Sequence, residues 1–259
     1  MDAHDLVQPV VQLAHQAGAI LRSGFGGRIS SRDKDGVHNL VTDFDLRVEE
    51  FLYTELSKLV PGSCFLGEES GRHSGIGTFE WVVDPLDGTV NFAHGIPIFC
   101  VSIAVMYQGT TILGIIHHPI LDETFVATKS GGSFLNGKKI SVTKTESLRE
   151  SILVTGFPYN VQENPGLCID QFSTILSYGL PIRRLGSAAL DLAYTAAGRF
   201  DGFWEVQLAP WDMAAGVLLV DEAGGTVTHY NNRQFVLGHD SIVATNGRIH
   251  NELVKALEK

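Results

Sequence analysis

The sequence predicts an α/β protein made of two halves that share one compact body. Helical periodicity and strand-like apolar runs both occur before residue 99, and short apolar segments divided by turns follow up to residue 142. After residue 151, strands alternate with helices. Such mixtures pack as layers of helices on sheets. Since no linker rich in Pro, Gly or Ser interrupts the chain, we place the halves at 1–150 and 151–259 without a flexible joint between them.

The first half begins with two predicted helices. Residues 5–23 carry apolar side chains at three- and four-residue spacing and end at Gly24. Residues 45–60 show the same spacing before Pro61-Gly62, and Thr42 or Asp43 is suited to cap this second helix. Both helices are therefore amphipathic, with one apolar face each.

Strands follow the second helix. A short strand at 64–66 brings Gly67-Glu68-Glu69-Ser70 to its tip, and the turns within 99–142 predict a sheet of antiparallel hairpins. The second half shows seven alternating segments, predicted as strand 151–155, helix 165–178, strand 182–185, helix 187–197, strand 201–206, helix 211–222 and strand 241–245, before a closing helix.

Composition excludes several classes of function. Of the 259 residues, 44 % are hydrophobic and 19 % charged, which is ordinary for a globular protein. The longest apolar runs are far shorter than the roughly 18 to 20 residues of a membrane span. Residues 1–20 lack the basic start of a signal peptide, so we expect a cytoplasmic protein. The formal net charge of −10 argues against a nucleic-acid-binding face.

The cysteines point to no special chemistry. Cys64, Cys100 and Cys168 lie far apart and show no CxxC spacing, which predicts neither a zinc site nor a disulfide framework. We interpret each as a small buried hydrophobic residue.

Two carboxylates, three residues apart, follow a buried apolar run in Trp81-Val82-Val83-Asp84-Pro85-Leu86-Asp87-Gly88-Thr89. Pro85 has no N–H and a fixed φ, so we expect the strand to leave its ladder there. The two carboxylates and the Leu86 carbonyl would offer oxygen ligands to a hard divalent cation. If a helix starts behind them, its free N–H groups could face a phosphate. A purely structural strand-to-helix turn is the alternative, because Asp and Gly are common in turns.

Several carboxylates stand where predicted strands or helices begin or end, and most have apolar neighbours. They are Asp45, Glu68, Glu69, Asp84, Asp87, Glu205 and Asp212. Burying an unpaired carboxylate costs several kcal/mol, so each requires a cation, a set of hydrogen bonds or a capping role. Taken alone, Asp212 is best interpreted as a helix N-cap.

Three segments together resemble the motifs of the inositol monophosphatase family. They are Gly67-Glu68-Glu69-Ser70, residues 84–92 and residues 211–216, in this order and separation. Residues 40–45, 186–191 and 222–225 support the resemblance, which covers nearly the whole chain. One motif would be weak, whereas three in register are specific. The resemblance implies a layered αβαβα sandwich of the sugar-phosphatase type.

The resemblance also implies magnesium-dependent hydrolysis of a small phosphate monoester by a metal-activated water, with two or three Mg²⁺ per active site. The implied metal ligands are Glu68, Asp84, the Leu86 carbonyl, Asp87 and Asp212. Asp45 and Thr89 are the implied pair that orients the water, and Glu68 helps to deprotonate it. The implied substrate contacts are Asp87, Gly88, Thr89, Gly186, Ser187, Ala188 and Glu205.

The substrate is less sharply defined. Asn91-Phe92 resembles the inositol-type members, which favours a small phosphorylated cyclitol or sugar, with inositol monophosphate first and fructose 1,6-bisphosphate second. Histidinol phosphate and 3′-phosphoadenosine 5′-phosphate stay open. A non-catalytic regulatory protein that binds metal or ligand is the alternative of another class, although every expected ligand is present. The resemblance further implies lithium sensitivity and a homodimer.

Three other features receive less weight. His117-His118 has no third ligand at helical spacing and lies in a predicted strand, so we do not favour a metal site there. Arg183-Arg184 could meet a second phosphate but fits a solvated edge pair better. Lys34, before Asp35-Gly36, matches a family loop that covers the metals.

Overall fold

The computed structural model describes residues 3–27, 31–33, 40–162, 168–239 and 241–258. Lys34, Asp35 and Gly36, predicted as a loop over the metals, lie outside the described residues. The elements of the first part are α1 Ala3–Gly24, β1 Ser31–Asp33, β2 Leu40–Thr42, α2 Asp43–Leu59, β3 Cys64–Gly67, β4 Gly71–His73, β5 Phe79–Asp87, α3 Thr89–Ala93, β6 Cys100–Tyr107, β7 Thr110–His118, β8 Glu123–Thr128, β9 Gly132–Leu135 and β10 Lys138–Lys139.

The second part begins with a 3₁₀ turn at Leu148–Glu150. Its elements are β11 Leu153–Thr155, α4 Cys168–Ser177, β12 Ile182–Arg183, α5 Ala188–Ala196, β13 Gly202–Val206, α6 Pro210–Glu222, β14 Thr226–Thr228, β15 Ser241–Thr245 and α7 His250–Leu257. These agree with the predicted alternation of strands and helices, and β14 is an additional strand.

Two large sheets form the frame of the described structure. An eight-stranded sheet has the order β10-β9-β8-β7-β6-β5-β3-β4 and is antiparallel except for the parallel pair of β3 and β5. A five-stranded sheet has the order β12-β11-β13-β15-β14. Its first three strands are parallel, and its last three are antiparallel. The predicted hairpins of 99–142 are therefore confirmed.

The layers follow from side-chain alternation on the strands. In β5, Trp81 and Val83 join the core under α1 and α2, whereas Val82 joins the core under α5 and α6. In β13, Phe203 faces α5 and α6, and Trp204 faces the core that includes residues of α4 and α7. The order helices, sheet, helices, sheet, helices confirms the αβαβα sandwich. The division near residue 150 stays a prediction, because α6 contacts strands of both sheets.

The strand that carries Asp84 leaves its ladder with β6 at Pro85, as predicted, but it does not end there. β5 continues to Asp87, with a register shift against β6 between Asp84 and Asp87. On its other side, β3 pairs only as far as Val83. Pro85 thus lies at an irregularity and beyond the end of one neighbour, where its missing N–H costs no ladder hydrogen bond.

Two helix starts show how carboxylates satisfy free N–H groups. Thr42 is the N-cap of α2, as predicted, and its hydroxyl accepts a hydrogen bond from the Phe44 N–H. Asp212 is not an N-cap, because Pro210 starts α6 earlier and leaves Ala209 at that position. The Asp212 carboxylate instead reaches back one turn and accepts the Ala209 N–H at 2.7 Å.

Among the described residues, none of the helices combines the length and the apolar character that a membrane span requires.

Candidate active site

The site is built around the irregular end of β5. Oδ1 of Asp84 accepts the Leu86 N–H at 2.9 Å, which closes an Asx turn. Gly88 then takes φ +94°, and a Cβ there would collide with the Ile98 carbonyl. Only glycine fits both restrictions, and it lets the five-residue helix α3 begin directly at Thr89. The predicted strand-to-helix turn is thus present, with two carboxylates at its ends.

Thr89 connects this turn to the start of α2. Its hydroxyl lies 3.0 Å from Asp45 Oδ1 and 3.0 Å from the Leu86 carbonyl. Oδ2 of Asp45 accepts two further hydrogen bonds from Thr42, one from its N–H and one from its hydroxyl. Asp45 is fully buried, and this burial raises its pKa to about 6 although the three hydrogen-bond donors oppose the shift. The predicted Asp45–Thr89 pair is therefore in direct contact.

Four predicted metal ligands lie close enough to interact strongly. Burial is the main cause that raises the pKa of Asp84 well above its usual range, and Glu68, Asp87 and Asp212 raise it further. Glu68 also makes a side-chain hydrogen bond with Asp84. Burial likewise raises the pKa of Asp212, followed by the charges of Asp87 and Glu68. These side chains come from β5, α6 and the turn after β3, so only the tertiary fold brings them together.

The donor chemistry of this cluster fits a hard divalent cation. All four side chains offer carboxylate oxygens, the ligand type that Mg²⁺ prefers, and Glu68 and Asp87 raise the pKa values of both Asp84 and Asp212. Within the described ranges, no three His, Cys, Asp or Glu side chains already have the arrangement of a metal site. Glu68 and Asp84 are instead hydrogen-bonded to one another. A cation bound there would replace this contact as the partner of both carboxylates.

Asp87 joins the turn to the second half of the chain. Its Oδ2 accepts the hydroxyl of Ser187 and the N–H of Ala189, both at 2.7 Å. Ser187 is the N-cap of α5, so Asp87 is held at the start of that helix. Burial raises the pKa of Asp87 to about 6, against the effect of these donors.

Asn91 makes a second connection between the halves. Its amide donates to the carbonyls of Ile98 and Leu185, each at 2.8 Å. The first of these bonds closes the loop after α3, and the second holds the chain just before Gly186. Asn91, which indicated the inositol-type pattern, therefore holds the backbone just before Gly186, where the predicted substrate contacts begin.

A cavity of about 100 Å³ adjoins Asp87 and Asp212. Its other lining residues are Gly156, Phe157, Tyr159, Arg184, Gly186, Ser187, Ala188, Asp191, Glu205 and Leu208. A larger cavity of about 480 Å³ lies between α1 and the β8–β9 hairpin, and no carboxylate is among its described lining residues. Another of about 550 Å³ beside α6 is lined by neither Asp87 nor Asp212 among the described residues, so the small cavity is the candidate site. All the predicted substrate residues from Gly186 to Ala188, together with Glu205, line this cavity.

Glu205 belongs to β13 and lines the cavity. It is buried, and burial raises its pKa to about 8, whereas Arg184 acts in the opposite direction. A side chain at Gly156 would overlap the Glu205 carboxyl group, so the glycine makes room for it. The predicted interpretation of Glu205 as a residue of the substrate pocket agrees with this position.

The sequence analysis assigned no role in the cavity to Tyr159 or Asp191, and it favoured a solvated edge position for Arg184. All three residues line the cavity. Asp191 is buried on α5, and its Oδ1 has no hydrogen-bond partner among the described residues. Both arginines are exposed; Arg183 lies on the edge strand β12, and Arg184 also lines the cavity. Helical spacing from Ser187 would have indicated that Asp191, four residues later, lies on the same face. No local pattern marks Tyr159.

His117 and His118 lie in β7 and take part in other contacts. His117 Nδ1 is 3.0 Å from the Thr124 hydroxyl, and its ring packs on His15 at 4.6 Å. His118 Nδ1 accepts from the backbone of Ile120 and Leu121. These contacts occupy the Nδ1 atom of each ring, and the interpretation that the pair is not a metal site stays a prediction.

Comparison with known proteins gives consistent matches over the whole chain. The model of the inositol monophosphatase family matches residues 2–259. Inositol-1-monophosphatase of Mesorhizobium japonicum is 41 % identical over 259 residues, covering 98 % of this chain and 96 % of that protein. Nus factor SuhB of Pseudomonas aeruginosa is 40 % identical over 235 residues, covering 89 % of this chain and 86 % of that protein.

Solved structures agree with the fold. The extragenic suppressor protein suhB of Bartonella henselae superposes with a TM-score of 0.94 at 40 % identity, covering 98 % of this chain and 99 % of that one. The Thermotoga maritima IMPase superposes with a TM-score of 0.90 at 33 % identity, covering 98 % and 97 % of the two chains.

Proposed function

Because the chain belongs to the inositol monophosphatase family, we propose that it hydrolyses the phosphate monoester of a small cyclitol or sugar, with inositol monophosphate as the first candidate. The chain is a phosphoric monoester hydrolase of this family. The observation that carries the proposal is the cluster of Asp84 and Asp212, whose pKa values are raised well above the usual range by burial and by neighbouring carboxylates, beside a cavity lined by Glu205. Buried carboxylates so arranged require a cation, and the cavity adjoins them.

Mg²⁺ is the proposed cofactor, held by Glu68, Asp84, the Leu86 carbonyl, Asp87 and Asp212, with two or three ions per site. Mg²⁺ would polarise the phosphate and lower the pKa of the attacking water. The chain itself orients the reactants. When the Thr89 hydroxyl donates its proton to Asp45, its lone pairs are free to accept a proton of the attacking water. Glu68, beside Asp84, is the proposed acceptor of the proton that the water loses.

The phosphate and the alcohol occupy different parts of the site in this proposal. The N–H groups of Gly88 and Thr89 lie at the start of α3 and would donate to phosphate oxygens. Glu205 and Ser187 would bind hydroxyl groups of the alcohol. With its pKa raised to about 8, the Glu205 carboxyl can both donate to and accept from a ring hydroxyl near neutral pH.

The polar groups of the alcohol subsite suit hydroxyl groups. Beyond the proposed metal ligands, the described lining of the cavity contains the acids Asp191 and Glu205 and the cation Arg184. Burial raises the pKa of both carboxyl groups, and the charge of Arg184 opposes this shift. Both carboxyl groups can therefore donate to and accept from neutral ring hydroxyls. Inositol monophosphate stays ahead of fructose 1,6-bisphosphate, the second candidate, because Asn91-Phe92 resembles the inositol-type members.

A phosphate-release panel tests the proposal. Purified protein is incubated with Mg²⁺ and inositol 1-phosphate, fructose 1,6-bisphosphate, histidinol phosphate or 3′-phosphoadenosine 5′-phosphate, side by side. The highest kcat/KM is expected for inositol 1-phosphate, and a chelator should abolish turnover. A higher kcat/KM for the bisphosphate would reverse the ranking.

The same panel separates the enzyme from a regulatory protein. One relative is named a Nus factor, so a non-catalytic regulatory role is the alternative. Release of no phosphate from any of the substrates would contradict the enzymatic proposal and favour that alternative. Lithium inhibition in the presence of Mg²⁺ is a further expectation, and insensitivity would weaken the inositol-type assignment.

We further propose that the protein is cytoplasmic and that it forms a homodimer. Light scattering of the purified protein tests the homodimer. The apolar hairpin of 99–116 does not support a dimer surface by itself, because Val101, Ile103, Val105, Leu113 and Ile115 are all in the core. Core packing thus explains the apolar pattern of that segment.

A further inference from the structure

Glu49 lies on the buried face of α2, one turn after Asp45, and is 3 % exposed. Both of its carboxyl oxygens accept hydrogen bonds from consecutive backbone groups. Oε2 accepts the Glu69 N–H at 2.9 Å, and Oε1 accepts the Ser70 N–H at 2.6 Å. The two N–H groups belong to the turn that leaves β3, 20 and 21 residues further along the chain.

The same carboxyl group also contacts the chain on the other side of Glu68. A Cβ built on Gly67 would overlap the Glu49 carboxyl group, so the backbone of Gly67 lies directly against it. Glu68 therefore stands between a glycine that packs on Glu49 and two N–H groups that donate to Glu49. The backbone on both sides of Glu68 is held by one side chain of α2.

We propose that Glu49 is a positioning residue that aims the Glu68 carboxylate at Asp84. Its contacts are with the backbone next to Glu68, and its effect on the chemistry passes through that backbone. Because α2 also carries Asp45, one helix would set both the water-orienting pair and the Glu68 ligand. The inference rests on the proposed function, because Glu49 has this role only if Glu68 binds metal.

The chemistry of the contact requires a carboxylate. Two N–H donors point at the two oxygens, and a glutamine offers one carbonyl oxygen and one NH₂ group. In Glu49→Gln, one of the two backbone N–H groups would face another donor, and a buried donor without an acceptor is unfavourable. The turn should then shift although the volume of the side chain is unchanged.

The test compares Glu49→Gln with Glu50→Gln, which removes a carboxylate from the exposed neighbouring position of the same helix. Tb³⁺ luminescence and titration calorimetry with Mg²⁺ measure ion binding without reference to turnover. We expect Glu49→Gln to weaken ion binding about 10-fold and to lower kcat while the substrate KM changes little. Glu50→Gln should match the wild type in all of these measurements.

A double-mutant cycle separates positioning from a general structural effect. In a Glu68→Gln background, Glu49→Gln should weaken ion binding by less than about 2-fold, because both changes affect the same ligand. Equal 10-fold effects in both backgrounds would overturn the proposal. If Glu68→Gln itself leaves ion binding unchanged, the assignment of Glu68 under the proposed function fails, and this is a different outcome.

A second measurement covers the case in which Glu49→Gln does not fold. In the wild-type protein, hydrogen exchange at the amides of Glu69 and Ser70 should be slow, since both are bound to a buried carboxylate. Exchange at the rate of free amides would show that the contact does not hold the turn, and the proposal would be wrong.

Discussion

The hydroxyl of Thr89 lies 3.0 Å from the carboxylate of Asp45, a residue 44 positions earlier in the chain. Thr42 donates two hydrogen bonds to the other oxygen of the same carboxylate. Three donors on one buried group keep Asp45 in a single orientation and align the Thr89 hydroxyl with it. The pair therefore has the fixed geometry that its proposed role, orienting an attacking water, requires.

Replacing Thr89 by valine keeps the shape of the side chain and removes its hydroxyl. We expect kcat to fall about 100-fold, while substrate KM changes little. Thr89→Ser, which keeps the hydroxyl, should retain most of the activity. Steady-state kinetics of the two variants checks this, and equal losses in both would mean that the methyl group matters more than the hydroxyl.

Replacing Asp84 by asparagine should abolish magnesium-dependent turnover, with a loss in kcat/KM of at least about 10³-fold. The metal-free variant should stay folded and melt at a higher temperature than the wild type, because a buried carboxylate next to Glu68, Asp87 and Asp212 is removed. Addition of Mg²⁺ should raise the melting temperature of the wild type but not of the variant.

Asp221→Asn is the matched control for this change. Asp221 is exposed and lies on α6, the helix that also carries Asp212, but at its other end. The activity of Asp221→Asn should stay within about 2-fold of the wild type. Near-normal turnover in Asp84→Asn would contradict the assignment of Asp84 as a metal ligand.

Replacing Glu205 by alanine should act on the alcohol half of the substrate. We expect KM for the preferred monoester to rise about 10-fold, equivalent to the loss of one hydrogen bond of about 1.4 kcal/mol. kcat should change less, because Glu205 is proposed to contact hydroxyls and not the reacting phosphate. Glu205→Gln, which keeps one acceptor and one donor, should show a smaller rise. A variant with lower kcat and unchanged KM would place Glu205 in the chemical step.

His117 should contribute a pH-dependent part of the stability. Burial, aided by His15, lowers its pKa from 6.5 to about 4, so the folded protein keeps it neutral in this range. Between pH 6.5 and 4 the unfolded chain binds the extra proton, and the free energy of unfolding therefore falls as the pH falls through this window. For a group that is 1 % exposed, the full effect is about 3 kcal/mol.

Denaturant unfolding of the wild type and of His117→Gln in the presence of a chelator checks this. The variant should be less stable at pH 7, since it loses the contact with Thr124 and the packing on His15. The difference between the two proteins should shrink by about 2 to 3 kcal/mol from pH 7 to pH 4. Parallel stability curves would show that His117 is not buried as a neutral group.

Much of the fold was predictable because the signals are local. The apolar spacing of α1 and α2, the turns between β6 and β10 and the alternation after residue 151 all follow from periods of 3.6 and 2. The turn from Asp84 to Thr89 was also predictable. It contains two acids, Asp84 and Asp87, and a glycine, Gly88, which adopts a positive φ. The break of the ladder at Pro85 was predictable, whereas the renewed pairing at Asp87 depends on the neighbouring strand β6. The N-cap prediction for Asp212 was wrong because Pro210 starts α6 earlier.

The sequence by itself determined which residues are proposed to carry the chemistry, because three separate motifs place carboxylates at the ends of elements. Only the tertiary structure decided how they meet: Glu68 beside Asp84, Asp87 at the start of α5, and Arg184 and Asp191 in the cavity with Glu205. It also revealed Glu49, whose partners are backbone N–H groups that no side-chain pattern reports. The physical reason is that burial and pairing of charges arise from contacts between residues distant in sequence, whereas periodicity records only neighbours along the chain.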